Sequence, residues 1–163
     1  MIDLKTGALL RLAAETGAMA ALQTADRKRP EVAAVGRFAL HCGRAFQLKD
    51  DLLGIYGSAP ELGKPIGNDL REAKRTPLLL TALRRLSPAG REALNGLLHR
   101  EEYTPEMLDR ARSLIDESGA RAAIENRIED LAHACTEELQ SLPDRPSRRI
   151  LAEFAAYLVT RTR

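Results

Sequence analysis

Apolar residues recur along this chain at helical spacing almost from end to end. From Met1 to about Gln23, the positions Leu4, Ala8, Leu9, Leu12, Ala13, Met19 and Leu22 keep close to a 3.6-residue period, with small residues between them. That pattern predicts a helix with a small-residue face suited to close packing. Asp26-Arg27-Lys28-Arg29-Pro30 breaks it, and Pro30 followed by Glu31 suits the first turn of a second helix. The second helix is expected to run to about Gly54 or Tyr56. Val32, Val35, Phe38, Leu40, Phe46 and Leu48 make it apolar on most sides, which places it in the middle of a helical bundle.

Beyond it the punctuation changes. Gly57, Pro60, Gly63, Pro65 and Gly67 mark a loop. Thr76-Pro77, Ser87-Pro88 and Thr104-Pro105 each pair a capping hydroxyl with a proline at the first helical position, so each opens a helix. Gly119 separates the third of these from a long amphipathic stretch, roughly Ala120 to Gln140. Pro143 and Pro146 form the last break, after which Ser147 is expected to cap a terminal helix through Ile150, Leu151, Phe154, Leu158 and Val159. No segment alternates as a strand does, and no repeat or low-complexity tract is present. The expected architecture is all-α, a single helical domain over residues 1–163 with about seven helices.

Composition agrees and narrows the function. Of 163 residues 44% are hydrophobic but only 4% aromatic, with no Trp. Twenty-five basic residues against 23 acidic ones leave a formal charge of +2. So small an imbalance supplies no field to hold nucleic acid. No apolar run approaches the ~20 residues of a membrane span. The first residues, with Asp3 among them, lack the pattern of a secretory signal, and a cytoplasmic location is expected. Cys42 and Cys135 lie inside apolar helical patterns without zinc-type spacing, and are read as buried free thiols in a reducing compartment. Arg161 and Arg163 read as a solvated tail, with cover over a substrate mouth as the alternative.

Two adjacent carboxylates, Asp50 and Asp51, interrupt the apolar second helix. Like charges side by side repel, and burying them costs several kcal/mol per ion unless something compensates. One solution is ion pairing with Lys49, Arg44 or a neighbouring helix. The other is a divalent cation, for which hard carboxylate oxygens suit Mg2+. Gln47, Asp50, Asp51 and Gly54 stand at i, i+3, i+4 and i+7 and so share a helical face, with Gly54 leaving room for a bulky ligand. Candidate partners for phosphate are Lys5 with Thr6, Lys64 in the glycine-rich loop, and Lys74 beyond it. Gly63-Lys64-Pro65-Ile66-Gly67 is not a Walker A sequence, so no nucleotide site follows.

Together, Lys5-Thr6, Phe46-Gln47-x-x-Asp50-Asp51 and Gly63-Lys64-Pro65-x-Gly67-x-Asp69-Leu70-Arg71-Glu72-x-Lys74-x-Thr76 resemble the C-terminal half of the trans-isoprenyl (polyprenyl) diphosphate synthases. The resemblance covers Met1 to about Leu83. Asp-Asp-Leu-Leu-Gly in place of Asp-Asp-x-x-Asp is similar to the version in actinobacterial geranylgeranyl diphosphate synthases, with Gly54 standing for the third aspartate. Ala73 stands where a glycine is common.

The resemblance implies the C-terminal part of the isoprenoid synthase helical bundle. It also implies Mg2+-dependent head-to-tail condensation of an allylic diphosphate with isopentenyl diphosphate. Under it Asp50 is the main metal ligand and Asp51 a weaker or water-mediated one. Lys5, Thr6, Gln47 and Lys64 contact the allylic diphosphate, Lys74 is a further phosphate partner, and Asp69 joins the outer shell of the metal. Lys5, Thr6 and Lys64 carry the catalytic role. The family's other half supplies the first aspartate-rich motif, yet Asp50-Asp51 is the only adjacent aspartate pair in this sequence. The chain is therefore expected to begin inside the fold, to lack the N-terminal helices, and to be inactive or nearly so alone. A homodimer or association with a complementary synthase chain is expected, since uncovered apolar faces on the first two helices promote it. The alternative is a non-catalytic helical subunit or remnant that associates with a full-length synthase.

Overall fold

The computed structural model describes residues 3–57, 66–100 and 103–161, the side chains of Leu4, Lys5 and Val159 excepted. Every regular element among these is helical. Asp3–Gly7 forms a π-helical turn that leads into α1 (Ala8–Ala21), and then come α2 (Pro30–Tyr56), the short α3 (Asn68–Arg71), α4 (Pro77–Arg85), α5 (Pro88–Asn95), α6 (Pro105–Glu117), α7 (Ala120–Gln140) and α8 (Pro146–Thr160). The all-α expectation holds, as do the bounds of the second helix and of the amphipathic one. Contacts divide the chain into two compact units, Met1–Gln47 with Arg127–Arg161, and Leu48–Asn126.

In the first unit the leading part of α2 supplies the core. Phe38 and Cys42 pack with Cys135 and Leu139 of α7 and with Ala155 and Leu158 of α8, and Phe46, Leu142 and Leu151 lie against them. Removing such side chains from water is worth ~1.5–3 kcal/mol each for the larger ones. Both cysteines are free and buried, as their apolar setting in the sequence predicts. Arg37 of α2 reaches Glu138 of α7 with two hydrogen bonds, 2.6 and 2.7 Å. Close approach of backbones sets the other side: a Cβ on Gly43 would stand 2.7 Å from Gly7 Cα. The π-helical turn can lie this close because residue 43 is glycine.

Helix α1 departs from expectation. Glu15 is its one buried residue, 1% exposed, whereas Leu9 and Leu12 are 72% and 54% exposed. Glu15 is held by Arg11, whose Nε donates at 2.6 Å, and by Arg27, whose Nε donates at 3.0 Å. Gly36 of α2 provides the space, since a Cβ there would meet Glu15 Oε1 at 2.5 Å. The apolar residues of α2 were expected to be uncovered as well. Instead Val32, Ala34, Phe38, Leu48, Leu52 and Ile55 are buried.

The second unit is built from short helices with explicit starts. Thr76, Ser87 and Thr104 accept hydrogen bonds from the backbone N–H groups of Leu79, Gly90 and Met107, each with proline at the next position. This satisfies donors that a helix N-terminus otherwise leaves unpaired. Leu70, Leu78, Leu79, Ala82, Leu94, Ala111, Leu114 and Ile115 are all buried. The end of α2 is secured by Arg112, whose Nε donates to Ile55 O at 2.8 Å, and by Tyr56, whose hydroxyl donates to Asp116 at 2.8 Å. One capping expectation is corrected. The terminal helix begins at Pro146 with Arg145 at its N-cap and no side-chain cap, so Ser147 lies inside the first turn. The fixed φ of Pro146 starts the helix without help from a hydroxyl.

Candidate active site

The long helix α2 carries Gln47, Asp50, Asp51 and Gly54, and its regularity keeps them on a common side. Gln47 and Asp51 are buried, 8% and 5% exposed, whereas Asp50 is exposed. The pair therefore presents one carboxylate to solvent and one toward the protein.

In the second unit, Gly54 shapes what lies beside these carboxylates. Its carbonyl accepts from Gly67 N at 2.9 Å, and Gly67 has φ 81°, the left-handed conformation from which α3 starts. This return brings Asp69 close: a Cβ on residue 54 would stand 3.1 Å from Asp69 Oδ2. Asp69 Oδ1 accepts from Lys74 Nζ at 2.7 Å, and Glu72 Oε2 lies 3.1 Å from the same ammonium. The hydrogen bond from Lys74 to Asp69 holds the lysine pKa above its ordinary value, with a smaller contribution from Glu72. The turn that folds Lys74 back passes through Ala73 with φ 43°. A positively charged group thus orients Asp69 while Gly54 leaves its other oxygen room.

In the first unit, the Gly7–Gly43 approach sets Thr6 beside α2, where Thr6 Oγ1 donates to Gln47 Oε1 at 3.2 Å. Arg44 pairs with Asp3 through two hydrogen bonds of 2.6 and 2.7 Å. That engages one of the cations considered as a partner for the aspartates. Of the residues singled out in the sequence, Thr6 and Gln47 meet, and Lys74 and Asp69 meet. The Lys5 side chain and the loop containing Lys64 lie outside the described residues.

Sequence reasoning missed Arg161. It is 8% exposed, its Nη2 donates to Phe46 O at 3.1 Å, and its guanidinium lies 3.9 Å from the centre of the Phe46 ring. It is not the solvated side chain expected of it. The regular apolar period of α8 ends just before it, and no local pattern marks a terminal arginine as buried.

Among the described residues no group of three or more His, Cys, Asp or Glu side chains is gathered to hold a metal. Mg2+, however, ordinarily takes one or two protein carboxylates and completes its octahedron with water and phosphate oxygens. Adjacent aspartates on one turn, with space at Gly54 next to an oriented third carboxylate, fit that mode of binding.

Residues 1–115 match the polyprenyl synthetase family. The chain belongs to it. Geranylfarnesyl diphosphate synthase of Aeropyrum pernix is 34% identical over 165 residues, an alignment that takes in 100% of this chain and 49% of the relative. Among solved structures, polyprenyl synthase from Caulobacter crescentus, complexed with calcium and isoprenyl diphosphate, superposes with a TM-score of 0.85 at 36% identity, covering 99% of this chain and 48% of that one. Geranylgeranyl pyrophosphate synthase from Corynebacterium glutamicum, complexed with isoprenyl diphosphate and magnesium, gives 0.75 at 31% identity over 82% of this chain and 38% of that one. The helical fold is that of the isoprenoid synthases. The chain spans about half the length of the curated relatives it matches, as the 49% share of the first shows.

Proposed function

We propose that this chain carries the second aspartate-rich half of a Mg2+-dependent prenyl diphosphate synthase site. The reaction is head-to-tail condensation of an allylic diphosphate with isopentenyl diphosphate. The observation that carries this reading is the Asp50-Asp51 pair beside Gly54 and the oriented Asp69, within a chain matched to the family over residues 1–115.

Asp50 and Asp51 would hold the cation, Asp50 foremost because it is the exposed member. When bound, Mg2+ supplies charge neutralisation for the leaving diphosphate. Asp69, oriented by Lys74, would serve as an outer-shell acceptor when the metal is bound. Thr6 and Gln47, hydrogen-bonded to each other, would offer a hydroxyl and an amide to diphosphate oxygens. Lys5 and Lys64, expected from the family resemblance to contact the diphosphate, would add ammonium groups. Lys74 serves through Asp69, since its ammonium is engaged by two carboxylates. As the allylic C–O bond breaks, these donors stabilise the charge that builds on the departing oxygen. The double bond of isopentenyl diphosphate attacks the allylic carbon, and a proton passes to the departing diphosphate as the new double bond forms.

The sequence contains no other adjacent aspartate pair, so the facing carboxylates must come from another polypeptide or segment. A complementary synthase chain would supply them, a homodimer would add only a second copy of the same half, and a cytoplasmic location is part of this reading. No described helix is long and apolar enough to cross a membrane.

The test combines purified chain, Mg2+, labelled isopentenyl diphosphate and an allylic primer. Little or no elongation is expected from the chain alone. Elongation should appear when a polypeptide bearing the Asp-Asp-x-x-Asp half is added, and Asp50→Asn should abolish it. Elongation at ordinary rates by the chain alone would refute the half-site reading. A second reading, a helical subunit without chemistry of its own, is favoured by the uncovered leucines of α1. It is supported instead if the chain co-purifies with a full-length synthase and Asp50→Asn changes nothing.

A further inference from the structure

Cys42 on α2 and Cys135 on α7 are the two cysteines of the chain. Their sulfurs stand 3.5 Å apart in the core of the first unit. Each residue is 1% exposed. Neither thiol is needed to fill this core, since a small aliphatic side chain at either position would do so. The Cys135 thiol also lies 3.8 Å from Phe38 O, so its proton has an acceptor there while its sulfur faces the Cys42 S–H. A disulfide needs the sulfurs at about 2.05 Å, a contraction of roughly 1.5 Å. Closing that distance requires rotation about the two Cα–Cβ bonds and approach of the two helices.

We propose that Cys42 and Cys135 form an oxidisable dithiol, a modification site at which a small peroxide closes an internal disulfide between α2 and α7.

The polarity of the pair assigns the order of events. The hydrogen bond with Cys135, and then burial, push the Cys42 thiol well up. The hydrogen bond from Cys42 holds Cys135 below the ordinary thiol range despite burial. With Phe38 O able to accept its own proton, Cys135 is placed to receive the Cys42 S–H, and so is assigned the first attack. Its sulfur takes one peroxide oxygen, the O–O bond breaks, and water or an alcohol leaves, giving a sulfenic acid. The Cys42 sulfur then attacks that sulfur. The S–O bond breaks, the S–S bond forms, and a second water departs with the Cys42 proton. Two thiols lose two electrons and two protons, and one peroxide is reduced. Burial selects a small oxidant over glutathione disulfide and makes the reaction wait on local opening. Asp50 and Asp51 follow Cys42 by about two turns of the same helix, so the bond would fix the stem that carries them.

The experiment treats the full chain with hydrogen peroxide or with dithiothreitol, unfolds it in an alkylating reagent and reads the intact mass. The oxidised chain should be lighter by about 2 Da, take up no alkyl group and yield a peptide joining Cys42 to Cys135. Its melting temperature should rise by on the order of 5–10 °C, and dithiothreitol should reverse all of this. Cys42→Ser should leave Cys135 to accumulate added oxygen, whereas Cys135→Ser should leave Cys42 unmodified at the same dose. Two alkylatable thiols after peroxide, oxygen adducts in the unaltered chain, a cross-link between chains, or a bond that leaves the melting temperature unmoved would each overturn the proposal. The mass of the unaltered chain decides the matter even if neither serine variant folds.

Discussion

Ala73 sits at φ 43°, between the short helix α3 and the lysine that orients Asp69. An L-residue held there crowds its Cβ against its own backbone, at roughly 1–2 kcal/mol, a strain glycine does not feel. Glycine would take this conformation without that strain. Ala73→Gly should therefore stabilise the chain by about 0.5–1 kcal/mol, the larger freedom of glycine when unfolded offsetting part of the relief. Urea denaturation reads it, and a loss of stability would mean that φ is not the cause. Gly54 poses the opposite case. Alanine there gains ~1 kcal/mol of helix propensity, but its Cβ would press on Asp69 Oδ2 from 3.1 Å. Gly54→Ala should leave stability equal or higher while weakening Mg2+-dependent pyrophosphate binding by about tenfold or more, the usual effect of disturbing an outer-shell group. Titration calorimetry on both proteins separates the two effects, and unchanged binding would remove Asp69 from the site.

At the scale of elements, glycine decides how closely segments approach. A Cβ on Gly43 would fall 2.7 Å from Gly7 Cα and 3.1 Å from Gly7 N, which are backbone atoms with no rotamer to yield. Gly43→Ala should cost about 2 kcal/mol or more by forcing the Asp3–Gly7 turn away from α2. The Thr6–Gln47 hydrogen bond should be lost with it. Proton NMR of the Gln47 side-chain amide, alongside the denaturation midpoint, checks both parts. A fully stable variant would show that the approach is slack. Such contacts explain what the sequence could and could not reveal. Thr76, Ser87 and Thr104 announce their helices because cap, proline and first turn are neighbours in the chain. Ser147 misleads for the same local reason: Pro146 had already started the helix. Nothing local indicates that the Asp3–Gly7 turn packs so closely on α2, because the space for it is left by a glycine thirty-six residues downstream from Gly7.

For the whole molecule, the 3.6-residue period predicted the helical class and most boundaries, because burial of one stripe per helix is a repeated and additive demand. The aspartate pair and its glycine were legible too, since they violate that demand within a single turn. Which stripe finds cover was not legible. Leu9 and Leu12 of α1 look like core residues and are exposed, while Glu15 and Arg161 look like surface residues and are buried. Glu15 then gives the fold a dependence on acid. Burial pushes its carboxyl up, but the hydrogen bonds and charges of Arg11 and Arg27 prevail and leave it below the ordinary value of 4.5. Asp3 is lowered mainly by its hydrogen bonds from Arg44, against an ordinary 3.8. His41 is shifted the same way from 6.5, chiefly by burial, with Arg44 adding repulsion. In all three the unfolded chain takes up a proton more readily than the folded one. Their stabilisation is thus complete above the unfolded values and is lost as pH falls through the folded ones. The urea midpoint should stay level near neutrality, decline gently below about pH 6.5 as His41 begins to favour unfolding, and fall more steeply below about 4.5. Glu15→Gln keeps the size and one acceptor but removes the titration. It should cost about 1–2 kcal/mol at pH 7, where the charged hydrogen bonds are lost, and cost progressively less below pH 4.5. The two curves should converge in acid; curves that stay parallel would assign the acid loss to other carboxylates.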